Sequence, residues 1–301
     1  METLHSLATI AFTGADSKSF LQGQLSHDLN LLSPKRPLLA SCNSAQGRVQ
    51  AVMTLIERHD GIVAILPSDM IDLLVARLRK YILRSKVVIA NASATLQCRM
   101  ATQAELYAAR LPVPAAAGEH DQDQTISVMH WWDQQVERFL VLQAPSATET
   151  IANDHAVDEQ WLLADIRAGL PQVLPATHEM FVAQMLNLDA VNGISFNKGC
   201  YTGQEIIARA HFRGAVKRRM FHLQASCPPT PPATRILLQH DQSHAGDVVM
   251  AAPTATGCEM LAVLNLAALN FNGQDAALCL DTNHAALLKT LPLPYALPIA
   301  T

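Results

Sequence analysis

The stretch Lys198-Gly199-Cys200-Tyr201-Thr202-Gly203-Gln204-Glu205 sets one cysteine between two glycines, directly ahead of a segment with helical spacing. Thr202 and Glu205 stand at the Thr-x-x-Glu spacing of a capping box, which predicts a helix that begins at about Gly203. Ile206, Ile207, Ala208 and Ala210 give that helix an apolar side, and Gly214 gives it a stop. Cys200 lies just outside the cap, where unpaired N–H groups and the positive end of the helix dipole favour an anion. The neighbouring cation Lys198 adds to that, so the pattern points to a thiol that reacts as a thiolate. The competing reading is structural: a Gly-rich turn, with Cys200 as a small buried filler and Glu205 as a cap rather than a general base.

Charge is concentrated in the same place. The 301-residue chain carries a formal net charge of −4, which argues against a general nucleic-acid binder. Yet residues 198–219 hold Lys198, Arg209, Arg213, Lys217, Arg218 and Arg219 against the single acid Glu205. Such a patch suits a polyanionic small molecule or RNA phosphates, although a solvated helix face and loop would show the same composition.

The rest of the chain sets the frame. Its length suits two domains or three small ones, and with 50% apolar and 16% charged residues it has ample core for a globular fold. No apolar run approaches the ~20 residues of a membrane-spanning helix, and the first ten residues lack the basic start of a signal peptide, so a cytoplasmic protein is expected. Six cysteines are far apart with no Cys-x-x-Cys pair, which excludes a permanent zinc or iron–sulfur scaffold of that kind. His240 and His244 are four apart in a polar loop rather than on a helix, so no metal site is expected there. Phosphate-binding glycine motifs and the Gly-x-Ser-x-Gly elbow are also missing.

The first third reads as mixed α and β. Leu21, Leu25 and Leu29 recur at helical spacing after 13–16, and Ser68 precedes a second row of Ile71, Leu74, Val75, Leu78 and Ile82. Strands are predicted over 49–56 and 62–66, joined by a turn at Asp60-Gly61, and over 86–90. A loop is predicted over 111–124, an apolar strand-like run over 139–143, and a helix over 159–168 ended by Gly169 and Pro171. The Pro-rich stretch 227–232 reads as a linker, and the short apolar runs beyond it suggest a small β-barrel or sandwich. Trp131, Trp132 and Trp161, the only tryptophans, could fill core or stack on a flat heterocycle.

The segment from Asn187 to Arg209, with Asn-Gly-Ile-Ser-Phe-Asn ahead of the Lys-Gly-Cys-Tyr-Thr-Gly-Gln-Glu motif, closely resembles the signature of the YgfZ family of folate-binding proteins. The likeness extends to Thr13-Gly14-Ala15-Asp16-Ser17, Leu21-Gln22-Gly23-Gln24, Ser85-Lys86-Val87, Ile166-Arg167-Ala168-Gly169-Leu170-Pro171 and Leu293-Pro294-Tyr295, and so spans nearly the whole chain. It implies an α+β fold like that of the glycine-cleavage aminomethyltransferase: ferredoxin-like α/β subdomains and a small C-terminal β-barrel around a central folate channel. The corresponding division is 1–105 and 106–222 for two α/β subdomains, which can interleave, and 223–301 for the barrel. The resemblance further implies tetrahydrofolate or another reduced folate as ligand, a link to assembly or repair of iron–sulfur enzymes, and the tRNA modification those enzymes carry out.

Under this resemblance Cys200 matches the family's reactive cysteine, and Trp161 matches a tryptophan beside the folate. The candidate cofactor-binding residues are then Trp161, Arg167, Lys198, Tyr201, Gln204 and Arg209, with no metal. Three positions depart from the pattern. A second tryptophan of the family falls near Leu7. The transferases' pterin-binding glutamate is Arg167, which donates hydrogen bonds and cannot accept them, and so suits the glutamate tail instead. Their paired aspartates fall near Gln50 and Ala51, which leaves no carboxylate to manage a proton on the folate nitrogen.

Three functions are therefore expected to compete. The first is a folate-binding accessory factor for iron–sulfur enzymes and their tRNA modification, with Cys200 as a functional thiol. The second is a tetrahydrofolate-dependent aminomethyl transferase, and the third a direct tRNA-binding module acting through 198–219. A monomer without membrane attachment is expected in each case.

Overall fold

The computed structural model describes residues 1–122, 125–133, 136–145, 155–212, 214, 216–271, 274–275 and 277–298. Two antiparallel sheets and a closed barrel account for most of its strands.

The first sheet has the strand order Leu38–Asn43, Val49–Arg58, Gly61–Pro67, Leu7–Thr13, Val88–Asn91. Its central strands are apolar along most of their length and buried, as expected of a sheet covered on both faces. The hairpin predicted at Asp60-Gly61 closes through pairing of Arg58 with Gly61. Gly61 takes φ +144°, and a Cβ there would lie 2.4 Å from the Phe12 carbonyl oxygen, so the turn requires glycine. Helix α1 (Ser17–Gln24) follows the strand Leu7–Thr13, and α2 (Ile71–Arg79) the hairpin. The row Leu21, Leu25, Leu29 is fully buried as its spacing predicts, but α1 stops at Gln24 and Leu25 is extended. In the second row, Ser68 to Met70 form a 3₁₀ turn ahead of α2, and Ile82 lies beyond the helix.

The second sheet has the order Glu2–Thr3, Gln97–Ala101, Phe139–Gln143, Ser127–His130, His120–Gln122. Its first strand, Glu2–Thr3, precedes every strand of the first sheet in the chain. Helix α3 (Gln103–Ala108) lies where no helix was predicted, and the strand His120–Gln122 lies inside the predicted loop. Helix α4 (His155–Arg167) starts earlier than predicted and ends at the Ala168-Gly169 turn. It packs across the barrel strand His244–Thr254.

The barrel closes in the order Arg218–Ala225, Gly257–Asn265, His244–Thr254, Arg235–Leu238, Leu278–Leu280, Asn283–Leu291. It therefore starts before position 223, and the Pro-rich stretch 227–232 is a loop between its first and second strands rather than a linker. Among the described residues, no helix is long and apolar enough to cross a membrane.

Candidate functional site

A narrow cleft with about 30 Å³ of open space lies between the two sheets. Strand residues Leu7, Leu39 and Thr54 form one wall, Trp131 and Trp132 the other, and Asp165 and Gln172 its polar end. The tryptophans sit just past the strand Ser127–His130, and Asp165 projects from the last turn of α4.

Asp165 is 1% exposed, and its carboxylate is held by three donors. Oδ1 accepts from Trp131 Nε1 at 2.9 Å and Arg138 Nη2 at 2.7 Å, and Oδ2 accepts from Gln172 Nε2 at 2.9 Å. Burial pushes its carboxyl pKa up, opposed by the charge and hydrogen bond of Arg138. Trp132 is fixed by donating Nε1–H to Thr54 Oγ1 at 2.9 Å. It also borders a second, wider cavity of about 270 Å³, lined with Ala168, Leu170, Val191, Pro294 and Tyr295. Tyr295 donates its hydroxyl to the Gly169 carbonyl at 2.8 Å, and burial raises its pKa to about 12. Gly169 makes that approach possible: at φ +66° it has no Cβ, which would otherwise sit 2.6 Å from the Tyr295 ring.

Trp161 is not on the cleft wall. It is 1% exposed, with the Arg138 guanidinium 4.5 Å from its ring centroid and the Trp131 ring at 5.1 Å. It supports Trp131 from behind, so the indoles that face the cleft are Trp131 and Trp132. The sequence leaves those two open between core filling and stacking, and Leu7, near which the resemblance implies a second tryptophan, lies on the opposite wall. Arg167, two residues beyond Asp165, turns away to the barrel. There its Nε and Nη2 donate to Glu259 at 2.9 and 2.7 Å, while Glu259 also meets His222 Nε2 at 2.9 Å. The hydrogen bond from Arg167 is the main reason the Glu259 carboxyl pKa is lowered. Gln50 accepts from Arg77 Nε and donates to Glu179 Oε1, both at 2.6 Å.

Cys200 lies on a separate, exposed loop before helix α5 (Gln204–Phe212). The predicted capping box does not form. Gly203 adopts φ +83°, packed so that a Cβ would lie 2.5 Å from the Ser44 carbonyl oxygen, and this swings Thr202 out of the N-cap position. The Gly203 carbonyl accepts the first helical bond, from Ile207, and Gln204 Oε1 reaches back to the Tyr201 N–H at 3.3 Å. Thr202 instead donates its N–H to the Gly23 carbonyl, at 3.3 Å. Lys198 is buried, and its Nζ donates to the carbonyls of Gln22, Leu25 and His27 at 2.7, 2.7 and 2.8 Å. An ammonium has three hydrogens, so all of them are spent on the end of α1 rather than on Cys200 or an anion. Desolvation lowers its pKa to about 8. Tyr201 packs into the core beside it, with its pKa raised to about 12 by burial.

The cationic segment is thus largely committed. Arg219 is 2% exposed and pairs bidentately with Asp189 while donating to the carbonyls of Gln184 and Pro298. Arg218 lies 3.7 Å from Asp247. Arg209 and Lys217 are exposed, and Arg213 falls outside the described residues. His240 and His244 each sit against an aspartate, Asp241 and Asp247.

No protein-family model matches the chain. It is 33% identical over 308 residues to the tRNA-modifying protein YgfZ of Yersinia pseudotuberculosis serotype O:1b, an alignment covering 98% of this chain and 92% of that protein. The tRNA-modifying protein YgfZ of Yersinia enterocolitica serotype O:8 is likewise 33% identical, over 307 residues. Among solved structures, the glycine cleavage system aminomethyltransferase T of Bartonella henselae superposes with a TM-score of 0.69 at 13% identity, covering 97% of this chain and 84% of that one. That likeness establishes an aminomethyltransferase-like fold.

Proposed function

This chain belongs to the family of the tRNA-modifying protein YgfZ, and we propose that it is a folate-binding factor that supports tRNA modification. The observation that carries the reading is the cleft: one wall of two indoles, a largely apolar strand wall opposite, and one buried carboxylate beside a carboxamide. A pterin is flat, apolar on its faces and lined with N–H groups and a carbonyl at its rim, so the chemistry of these residues suits it, and the adjoining cavity of about 270 Å³ at Trp132 supplies the room the narrow cleft lacks. Asp165 would accept from the rim, Gln172 would hold that carboxylate in place, and Trp132 would cover a face. Trp161 and Arg138 would stiffen the wall. A bound reduced folate supplies one-carbon chemistry. Arg167, half-exposed and engaged with Glu259 along one edge, leaves its other edge for a glutamate-tail carboxylate.

Cys200 is the functional thiol in this reading, and iron–sulfur enzymes that modify tRNA are its clients. Its exposure on an anchored loop, while Cys42, Cys98, Cys258 and Cys279 are buried, supports the assignment. A monomeric, cytoplasmic protein goes with it. Aminomethyl transfer has no observation in its favour: where the resemblance places the transferases' acids stand Gln50, whose amide is engaged at both ends, and Ala51.

Titration with tetrahydrofolate tests the cleft by calorimetry and tryptophan quenching. Trp132→Leu should weaken binding by the roughly 0.5–1.5 kcal/mol of one aromatic contact, and more than Trp161→Phe does. A parent protein that shows neither heat nor quench, or a Trp132→Leu variant that binds as the parent does, overturns the assignment. In cells, deletion should lower both modified tRNA bases and iron–sulfur enzyme activity, and Cys200→Ser should fail to restore them.

A further inference from the structure

The far end of α5 carries an aromatic cluster that the cleft does not use. Phe196, from the loop ahead of Lys198, stacks on His211 with ring centroids 3.7 Å apart and planes 13° from parallel. Phe212 meets both rings edge-on, at 6.1 Å from Phe196 and 4.6 Å from His211. Phe196 roots the group by packing against the main core, but His211 is exposed and Phe212 is 67% exposed. A phenylalanine left this open at a helix end gains little from folding.

Along α5 the charge at this end is positive. Arg209 is exposed and precedes Phe212 by three residues, which places it beside that ring on the helix surface. Lys217 is exposed just ahead of the barrel strand. Glu205, the one acid of α5, is in its first turn, at the opposite end.

We propose that Phe212 and His211 form a stacking platform for unpaired nucleobases of RNA, with Arg209 and Lys217 meeting the flanking phosphates. Stacking on aromatic rings beside cations is the chemistry by which proteins hold single-stranded nucleic acid. A protein partner that covered Phe212 would also strip water from Arg209, whereas RNA brings a phosphate to it. The proposal deepens the tRNA part of the function above and rests on it.

The test is fluorescence anisotropy with a labelled RNA hairpin that has an open loop, and with a blunt RNA duplex of the same length, over a series of salt concentrations. The parent should bind the hairpin more tightly. Phe212→Leu, which keeps an apolar side chain but removes the ring, should weaken hairpin binding by about fivefold to a hundredfold and leave the salt dependence unchanged. Phe212→Tyr should bind as the parent does. Arg209→Gln should reduce the slope of log affinity against log salt by about one. Hairpin binding unaffected by Phe212→Leu, equal binding of hairpin and duplex, or no RNA binding by the parent each overturns the proposal. Tetrahydrofolate binding measured on the same preparations separates the two failures: a parent that binds folate but not RNA sinks this surface alone, and one that binds neither sinks the proposed function as well.

Discussion

Replacing Lys198 by methionine keeps most of the side-chain volume but strands the carbonyls of Gln22, Leu25 and His27, which the ammonium holds at 2.7 to 2.8 Å. An acceptor left unpaired in a buried place costs about 1–3 kcal/mol, so three cost on the order of 3–9 kcal/mol. Part of that is offset. Lowering the ammonium pKa from 10.5 to about 8 reflects a desolvation penalty of roughly 3 kcal/mol that methionine does not carry. The net loss is on the order of 3 kcal/mol, and thermal unfolding followed by circular dichroism should show a melting temperature lower by about 6 °C. The same pKa sets a pH signature. Between pH 8 and 10.5 the native Lys198 releases its proton while the unfolded one keeps it. The unfolded state then binds more protons, so this group's contribution to stability rises with pH. The gap between parent and Lys198→Met should therefore widen across that window. A variant that melts with the parent, or a gap that does not move, would refute the picture of Lys198 as the anchor of the Cys200 loop.

Alkylation at neutral pH, followed by peptide mass spectrometry, should label Cys200 first. Cys42, Cys98, Cys258 and Cys279 should wait for denaturant, since they are buried and burial raises their pKa values. Cys200→Ser should melt as the parent does. Gly203→Ala should destabilise by more than the roughly 1–2 kcal/mol of left-handed backbone strain, because its Cβ would also strike the Ser44 carbonyl at 2.5 Å, and urea unfolding measures this. The lowered pKa of Glu259, caused first by Arg167, contributes stability that is present above pH 4.5 and is lost as pH falls through the folded value. Arg167→Gln should flatten that acid limb of the stability curve.

Two Thr-x-x-Glu patterns show what could be read from sequence and what could not. At Thr102 to Glu105 the box forms, with the Thr102 N–H donating to Glu105 at 2.8 Å and the Glu105 N–H donating to Thr102 at 3.3 Å. At Thr202 to Glu205 the same spacing fails, because Gly203 is pulled into a left-handed conformation by contact with the loop at Ser44. Local pattern predicts a local bond only where no distant segment intervenes. The Asp60-Gly61 hairpin was legible from its own residues, whereas the spacing of Leu21, Leu25 and Leu29 gave the buried side but not the end of α1 at Gln24, which Lys198 holds from far along the chain. The family resemblance pointed to the barrel, but the Pro-rich loop inside it looked like a boundary because a proline run shows where strands stop and not whether a domain does. The cleft was the hardest to see. Asp165 lies 34 and 27 positions from Trp131 and Arg138, and the pairing that makes it tolerable in the interior appears only once α4 lies against the second sheet. The positive patch at 198–219 looked more available than it is for a related reason, since Asp189 and the carbonyls that claim Lys198 and Arg219 lie outside that segment.

The Arg219 clasp bears on time rather than on affinity. Its guanidinium joins Gln184, Asp189 and Pro298, which are 35, 30 and 79 positions away along the chain. Closing such loops costs entropy before any contact repays it, so the clasp belongs late in folding, after the barrel and the segment around Asp189 have met. Contacts absent from the transition state hardly affect how fast a chain folds, but they raise the barrier to leaving the native state. Arg219 therefore acts as a latch on the lifetime of the folded protein: it holds the start of the barrel and the strap of chain at Pro298 to the body that carries the cleft.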